Sequence, residues 1–459
     1  MGSRPPRTAT AGWPYAKMGS MQLPPGPREP SALQTYEWIA RPTSLMRRAQ
    51  ARFGEPFTLR LAWSDAPMVF TSDPGEIKRV YAADPDVLHA GASSAFLEPF
   101  AGPRSILVLD GADHMRERKL MLPPFHGEAL ARWRDTMASV ANEELARWQP
   151  GRPTRTLEHM QSVALEVILR VVFGGGDPQL REAIRRALQV PMPMLLAMSL
   201  WRGDRGPYAA YLRRVRRLDA LLYERIDRDV GDGSLLAVLK QTGASREQLR
   251  DQLATALAAG HETTAASLAW ALERLARVGG DDILARVRDG DEAYLDAVVK
   301  EVLRVRPVLA ITPRKARRPY ELAGWTLPAG VHVTPCIYLA HRRADVWGDP
   351  TAFRPERFLD GAPAPYSYIP FGGGVRRCVG AAFATLEMKE VLRALAARFA
   401  LRPAARNGER MRRRSITMTP SRGGYVVPHA LASAPGHADV LPPQPPDREL
   451  PDLQPRAPG

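Results

Sequence analysis

Residues 371–380 read F-G-G-G-V-R-R-C-V-G and hold Cys378, one of two cysteines in a chain of 459 residues. Gly372, Gly373 and Gly374 let a loop backbone approach a bulky object closely, because no Cβ stands in the way. The run that follows, AAFATLEMKEVLRALAARF, carries apolar residues at helical spacing, so the sulfur stands just ahead of a helix N-terminus. There the free N–H groups and the positive end of the helix dipole favour a thiolate, and Arg376 and Arg377 act in the same sense. A thiolate so placed is suited to be a metal ligand, a nucleophile or a redox thiol; otherwise a lone cysteine packs as a small hydrophobe. A phosphatase-type loop would need an arginine downstream to hold phosphate, and residues 379–385, VGAAFAT, supply none.

The remaining cysteine is Cys336, so a disulfide framework is excluded and a reducing compartment is indicated. Neither cysteine belongs to a Cys/His cluster with zinc spacing. A hydrophobic fraction of 45% is ample for a sizeable core. The net charge of +15 comes from arginine scattered along helices rather than gathered in one block. With no zinc-finger, RNP-like or basic-zipper pattern beside it, nucleic-acid binding is not indicated, and an acidic electron-transfer partner accounts for part of the excess. Residues 1–20 lack the apolar core of a signal peptide. No apolar run reaches the roughly 18 residues of a membrane span, so the expectation is a cytoplasmic protein without a membrane anchor.

The chain begins with a leader over 1–22, in which Met18 and Met21 lie just before a stiff Pro-rich collar, LPPGPREP, at 23–30. A periodic segment follows over 33–53, and FTLRLAW (57–63) with APMVFTS (66–72) read as a hairpin. Helical spacing then dominates near 74–83, 113–122, 127–148, 156–173 and 207–229. The breaks QPGRP and GGGDP are too short to be linkers, so one domain is expected over 23–430. Leader 1–22 and Pro-rich tail 431–459 are both expected to be disordered. VPMPMLLAMSLW at 190–201 is either a core corner or a lip over an apolar pocket. The longest helical signal runs over 245–278, with Ser245 and Gln248 as a capping box. A second runs over 292–306, and strand-like pieces occupy 311–340. No dinucleotide fingerprint is present, hence no fused reductase.

Within the long helix lies A-G-H-E-T-T, residues 259–264. Gly260 weakens a helix by about 1 kcal/mol relative to alanine, and threonine hydroxyls bond back to carbonyls one turn earlier, so a bulge is expected here. Glu262 and Thr263 offer an acid and an alcohol, the components of a proton relay, or equally an ordinary polar patch of a buried helix. Glu301 and Arg304 share one helical face and can pair.

In order along the chain stand Ala259–Thr264, Glu301-x-x-Arg304, Pro355-Glu356-Arg357-Phe358, and Phe371-x-x-Gly374-x-Arg376-x-Cys378-x-Gly380. This set resembles the cytochrome P450 family of haem-thiolate monooxygenases, and the resemblance covers about residues 23–428. It implies a mainly α fold with small β-sheets, a triangular helical prism around a long central helix. It implies haem b ligated by Cys378 and contacted by Phe371, Gly372, Gly380 and Ala259. Arg376, the His114-x-x-x-Arg118 pair and Arg314 fall where the family binds the propionates. Glu262 and Thr263 match the acid-threonine pair that activates oxygen, and Glu301, Arg304 and Arg357 a buried ionic triad. Substrate contacts would come from Phe96, Leu97, Ala256, Val308 and Ile311. Being mostly apolar, these imply a lipophilic substrate such as a fatty acid, terpenoid, steroid or polyketide. The reaction implied is insertion of one atom of O2 into a C–H bond. Its electrons would pass from NAD(P)H through a ferredoxin reductase and a ferredoxin to a bacterial, monomeric enzyme. Peroxide-using members commonly carry Arg-Pro in place of the acid-threonine pair, which this chain keeps. The alternative from another class is a non-catalytic haem-thiolate binding or sensor protein.

Overall fold

The computed structural model describes residues 23–64, 66–188, 206–228 and 233–431. The leader, the stretch 190–201 and the tail beyond 431 lie outside the described residues. Helix predominates, and the sheets are small.

The largest sheet takes its strands from distant parts of the chain: β1 (Phe57–Leu59), β2 (Met68–Thr71), β3 (Leu88–His89), β4 (Arg314–Ala316) and β5 (His332–Pro335), in the order β1-β2-β5-β4-β3. β1 and β2 form the anticipated hairpin with shorter strands, pairing Phe57 with Phe70 and Leu59 with Met68. The rings of Phe57 and Phe70 stack at 5.1 Å. β2 runs parallel to β5, and all four of its residues are buried, as a central strand covered on both faces requires. A late hairpin joins β6 (Met411–Arg414) to β7 (Thr417–Pro420).

The helices that place the site are α1 (Ser31–Ala40), α2 (Gly111–Met121), α3 (Thr156–Phe173), α4 (Arg246–Leu275), α5 (Glu292–Val305) and α6 (Ala381–Ala396). The single periodic segment anticipated over 33–53 is two helices, α1 and Pro42–Phe53. Proline lacks the N–H that would continue the first and is well placed to open the second.

α4 begins at the capping box: Ser245 Oγ accepts from Gln248 N at 3.2 Å, and Ser245 N donates to Gln248 Oε1 at 3.0 Å. Its 30 residues span about 45 Å. Most of its side chains are buried, many of them in the main core, and it packs chiefly along α3. The bulge anticipated at 259–264 is absent, for α4 stays regular throughout. Thr263 Oγ1 does donate to Ala259 O, at 2.5 Å, but as an addition to the helical ladder. Gly260 serves packing instead, since a Cβ there would sit 3.0 Å from Ile168 Cδ1 of α3. Among the described residues no helix is long and apolar enough to cross a membrane.

Candidate active site

The cysteine loop is a set of tight turns. Gly372 N donates to Ile369 O, Arg377 N to Gly374 O and Cys378 N to Phe371 O, each at 3.0 Å. Gly372 and Gly374 take φ of 68° and 62°, which strongly favours glycine. The object the glycines approach is Tyr81: a Cβ on Gly373 would lie 2.3 Å from its ring, and one on Gly374 would lie 2.2 Å from its carbonyl oxygen. Tyr81 Oη is held by Thr312 Oγ1 at 2.8 Å. A glycine run signals close approach, but nothing in the sequence named Tyr81 as the partner.

α6 starts at Ala381, with Gly380 as its N-cap residue, so Gly380 does precede a helix N-terminus. The thiol nevertheless has a raised pKa: burial is the largest influence, and the Gly380 N–H, Arg118 and Arg377 offset only part of it. The sequence argument for a free thiolate omitted burial, which wins here. Cys378 is at the same time exposed. A sulfur both enclosed and accessible faces space within the fold. Ala259 is exposed and Thr263 half-buried in the middle of α4, although residues 251–257 and 264–272 on either side are buried. These exposed faces leave room beside the cysteine loop and the middle of α4.

Around it gather His114, Arg118, Arg314 and Arg376. His114 on α2 is buried and its pKa is pushed down to about 3, first by burial and then by Arg376, Arg118 and Arg314, so the ring is neutral. Burial lowers the Arg376 pKa to about 10 against the pull of Asp110, whose Oδ1 its Nη2 reaches at 2.5 Å. Arg376 Nη1 also donates to Ile106 O at 3.0 Å. Arg314 lies over Tyr81 at 5.7 Å and donates to Thr312 O and Pro313 O. Arg118 has no ion-pair partner among the described residues. Asp110, which sequence reasoning missed, is the acid paired with this cluster, and it also receives the N–H groups of Gly91 and Ala92. Among the described residues three guanidinium groups stand near one carboxylate, a surplus that an anion would relieve. One soft sulfur donor, a small residue at Ala259 and surplus cations suit a metal-bearing ring with acidic side arms, so the residues present fit haem.

Glu262 and Thr263, adjacent in sequence, serve different neighbours. Glu262 Oε2 accepts from Gln161 Nε2 of α3 at 2.8 Å, and its Oε1 lies 3.4 Å from Arg414 Nε of β6. Thr263 stays on the helix by its bond to Ala259.

Glu301, Arg304 and Arg357 converge. Arg304 Nε and Nη2 donate to the two oxygens of Glu301 at 2.7 Å each, and Arg357 Nε donates to Glu301 Oε1 at 3.2 Å. The remaining Arg304 donors go to the carbonyls of His341, Pro350 and Ala352, so all five N–H groups are used. Glu301 Oε1 also takes the Arg354 N–H at 2.8 Å. One further residue ties this knot to the cysteine loop. His341 Nε2 accepts from Ile369 N at 2.9 Å, so the proton sits on Nδ1, which donates to Arg304 O at 3.2 Å. Burial first, then Arg304 and Arg342, pushes its pKa down to about 3. Tyr368 stacks on that ring at 5.5 Å and donates to Lys300 O of α5.

The residues expected to touch substrate are not gathered in one contact set. Ala256 and Val308 belong to the main core, and Ile311 packs on a second cluster with Trp38, Phe57 and Met418. Leu97 is half-buried, while Phe96 is 55% exposed on the turn Ala95–Leu97.

A family model described as Cytochrome P450 matches residues 24–195 and 291–427. Cytochrome P450 135B1 of Mycobacterium tuberculosis is 38% identical over 436 residues, covering 89% of this chain and 91% of that protein. Cytochrome P450 135A1 of the same species is 38% identical over 448 residues, covering 91% and 98%. Among solved structures, retinoic acid bound cyanobacterial CYP120A1 matches with a TM-score of 0.80 at 23% identity, over 90% of this chain and 100% of that one.

Proposed function

Because the chain belongs to the cytochrome P450 family of haem monooxygenases, we propose that it hydroxylates or epoxidises a lipophilic small molecule at a site built on Cys378. The observation that carries this reading is the exposure of three residues at otherwise enclosed places in the fold. Cys378 and Ala259 are exposed and Thr263 is half-buried, and of the nearby Arg118, Arg314 and Arg376 only Arg376 is paired with Asp110 among the described residues.

Cys378 would ligate the iron of haem b, whose bound thiolate donates electron density and favours O–O cleavage. His114, Arg118, Arg314 and Arg376 would hold its propionates, with Phe371, Gly372, Gly380 and Ala259 against the ring. Thr263 keeps its hydroxyl proton on Ala259 O and retains lone pairs to accept another hydrogen bond. Glu262, half-buried and steadied by Gln161 and Arg414, would be the acid of the relay that ends at Thr263. Glu301, Arg304 and Arg357, linked through His341, hold the cysteine loop in place.

Ala256, Val308 and Ile311, with Phe96 and Leu97, would contact a fatty acid, terpenoid, steroid or polyketide. The retinoic acid bound by the cyanobacterial neighbour is likewise apolar over most of its length. Electrons would come from NAD(P)H through a ferredoxin reductase and a ferredoxin, to a cytoplasmic monomer forming one domain over 23–430. The test is turnover by the haem-loaded protein with surrogate redox partners, NADH and a panel of lipophilic compounds. Oxygenated product supports the reading; spectral shifts with no product from any compound would mean a binding or sensor protein.

A further inference from the structure

We propose that Arg413 is an anion-binding subsite for substrate, and that the molecule oxidised here carries a carboxylate on its apolar body. The proposal rests on the monooxygenase reading above and narrows its substrate class.

Arg413 lies on β6, whose hairpin with β7 is fastened to three parts of the site. Met418 N donates to Val308 O at 2.7 Å, Trp270 Nε1 of α4 donates to Met418 O at 2.9 Å, and Arg414 Nε lies 3.4 Å from Glu262 Oε1. The hairpin therefore runs beside α4 and the 308–311 segment. Its neighbourhood is apolar: Met418, Trp38, Ala310 and the partly buried Ile311 and Met411 share one cluster. Into this setting Arg413 brings a full charge. Its guanidinium carbon stands 4.9 Å from the Trp38 ring centre of α1, and Nε donates to Ser415 O at 2.8 Å. Those two contacts fix the plane of the group and leave Nη1 and Nη2 with no hydrogen-bond partner among the described residues, and the side chain is half-buried.

Among the described residues no acid answers this cation. The carboxylate of α1, Glu37, is paired with Arg48 at 2.7 Å, and residues 1–22 contain no Asp or Glu at all. Burial also lowers the pKa of Arg118, Arg306, Arg314, Arg342, Arg357 and Arg376, yet each of these has another titratable group in its field. For Arg413, lowered to about 10, burial is the sole influence. Even a half-buried charge with no acid beside it among the described residues gains from an anion, and two parallel N–H donors fit a carboxylate in the bidentate manner. The apolar walls suit the rest of such a molecule.

The test uses the full-length holoprotein and three probes of one chain length: dodecanoate, methyl dodecanoate and dodecan-1-ol. Each is titrated by haem spectral shift and, independently, by calorimetry. The acid is expected to bind at least about tenfold more tightly than the ester or the alcohol, as a charge-assisted pair implies. Arg413→Ala and Arg413→Gln should bring the three to near equality; Arg413→Lys should keep part of the preference. Arg412→Ala, changed at an exposed neighbour on the same strand, should leave it intact. Equal binding of the three by the unaltered protein, no binding of any, or a preference that survives Arg413→Gln would each overturn the proposal. The reduced CO complex is recorded in parallel. Acid preference without a thiolate-type spectrum would sink the Cys378 assignment and support the anion site, whereas the reverse pattern would sink the anion site alone.

Discussion

Cys378 stands where its own ionisation is opposed, because burial outweighs the Gly380 N–H, Arg118 and Arg377. A coordinated cation reverses such a balance, since a thiol bound to a metal is deprotonated outright. Cys378→Ala is accordingly expected to lose the thiolate-type spectrum of the reduced CO complex; an unchanged spectrum would remove the residue from the iron. Thr263 acts through its hydroxyl alone in this reading. Thr263→Ala should lower product formation by about 10- to 100-fold while NADH is still consumed and hydrogen peroxide accumulates. Peroxide and product are both directly measurable, and tightly coupled turnover in that variant would leave Thr263 with only its helical bond to Ala259.

At the level of elements, the cysteine loop is held from two directions. α5 and the segment after it grip it through Glu301, Arg304 and His341, and Tyr81 presses on its glycines. Arg304→Met would strand the Glu301 carboxylate in an interior with no solvent access. The expected loss is about 3–5 kcal/mol by denaturant unfolding; a loss under about 1 kcal/mol would show that Arg357 alone suffices. Gly374→Ala would force a side chain into left-handed backbone and against the Tyr81 carbonyl. A cost of about 1–3 kcal/mol and reduced haem occupancy should follow, read as a lower melting temperature and less haem absorbance per protein. The Glu-x-x-Arg and glycine spacings were legible in the sequence. Their partners Tyr81, Asp110 and His341 were not, because each is distant along the chain and carries no local signature.

Across the whole molecule, burial decides which ionisations the fold tolerates. His341 is neutral, with a folded pKa near 3 against an ordinary value of 6.5. The unfolded chain thus binds the proton first, and the contribution to stability is complete above pH 6.5 and lost as pH falls toward 3. Between pH 7 and pH 5 the loss should be about 2 kcal/mol from this group. Urea unfolding at the two pH values checks it, and His341→Gln should flatten that dependence; an equally steep response in the variant would place the acid sensitivity elsewhere. The sequence by itself determined the helical class, the capped start of α4 and the order of the motifs, since these rest on spacing, capping chemistry and glycine content within short windows. Only the tertiary structure decided that Cys378 stays exposed and Thr263 half-buried, that Glu262 leans on Arg414, and that Arg413 has no acid beside it among the described residues. Each of those depends on what the folded chain brings within a few ångströms, and on how much water it excludes there.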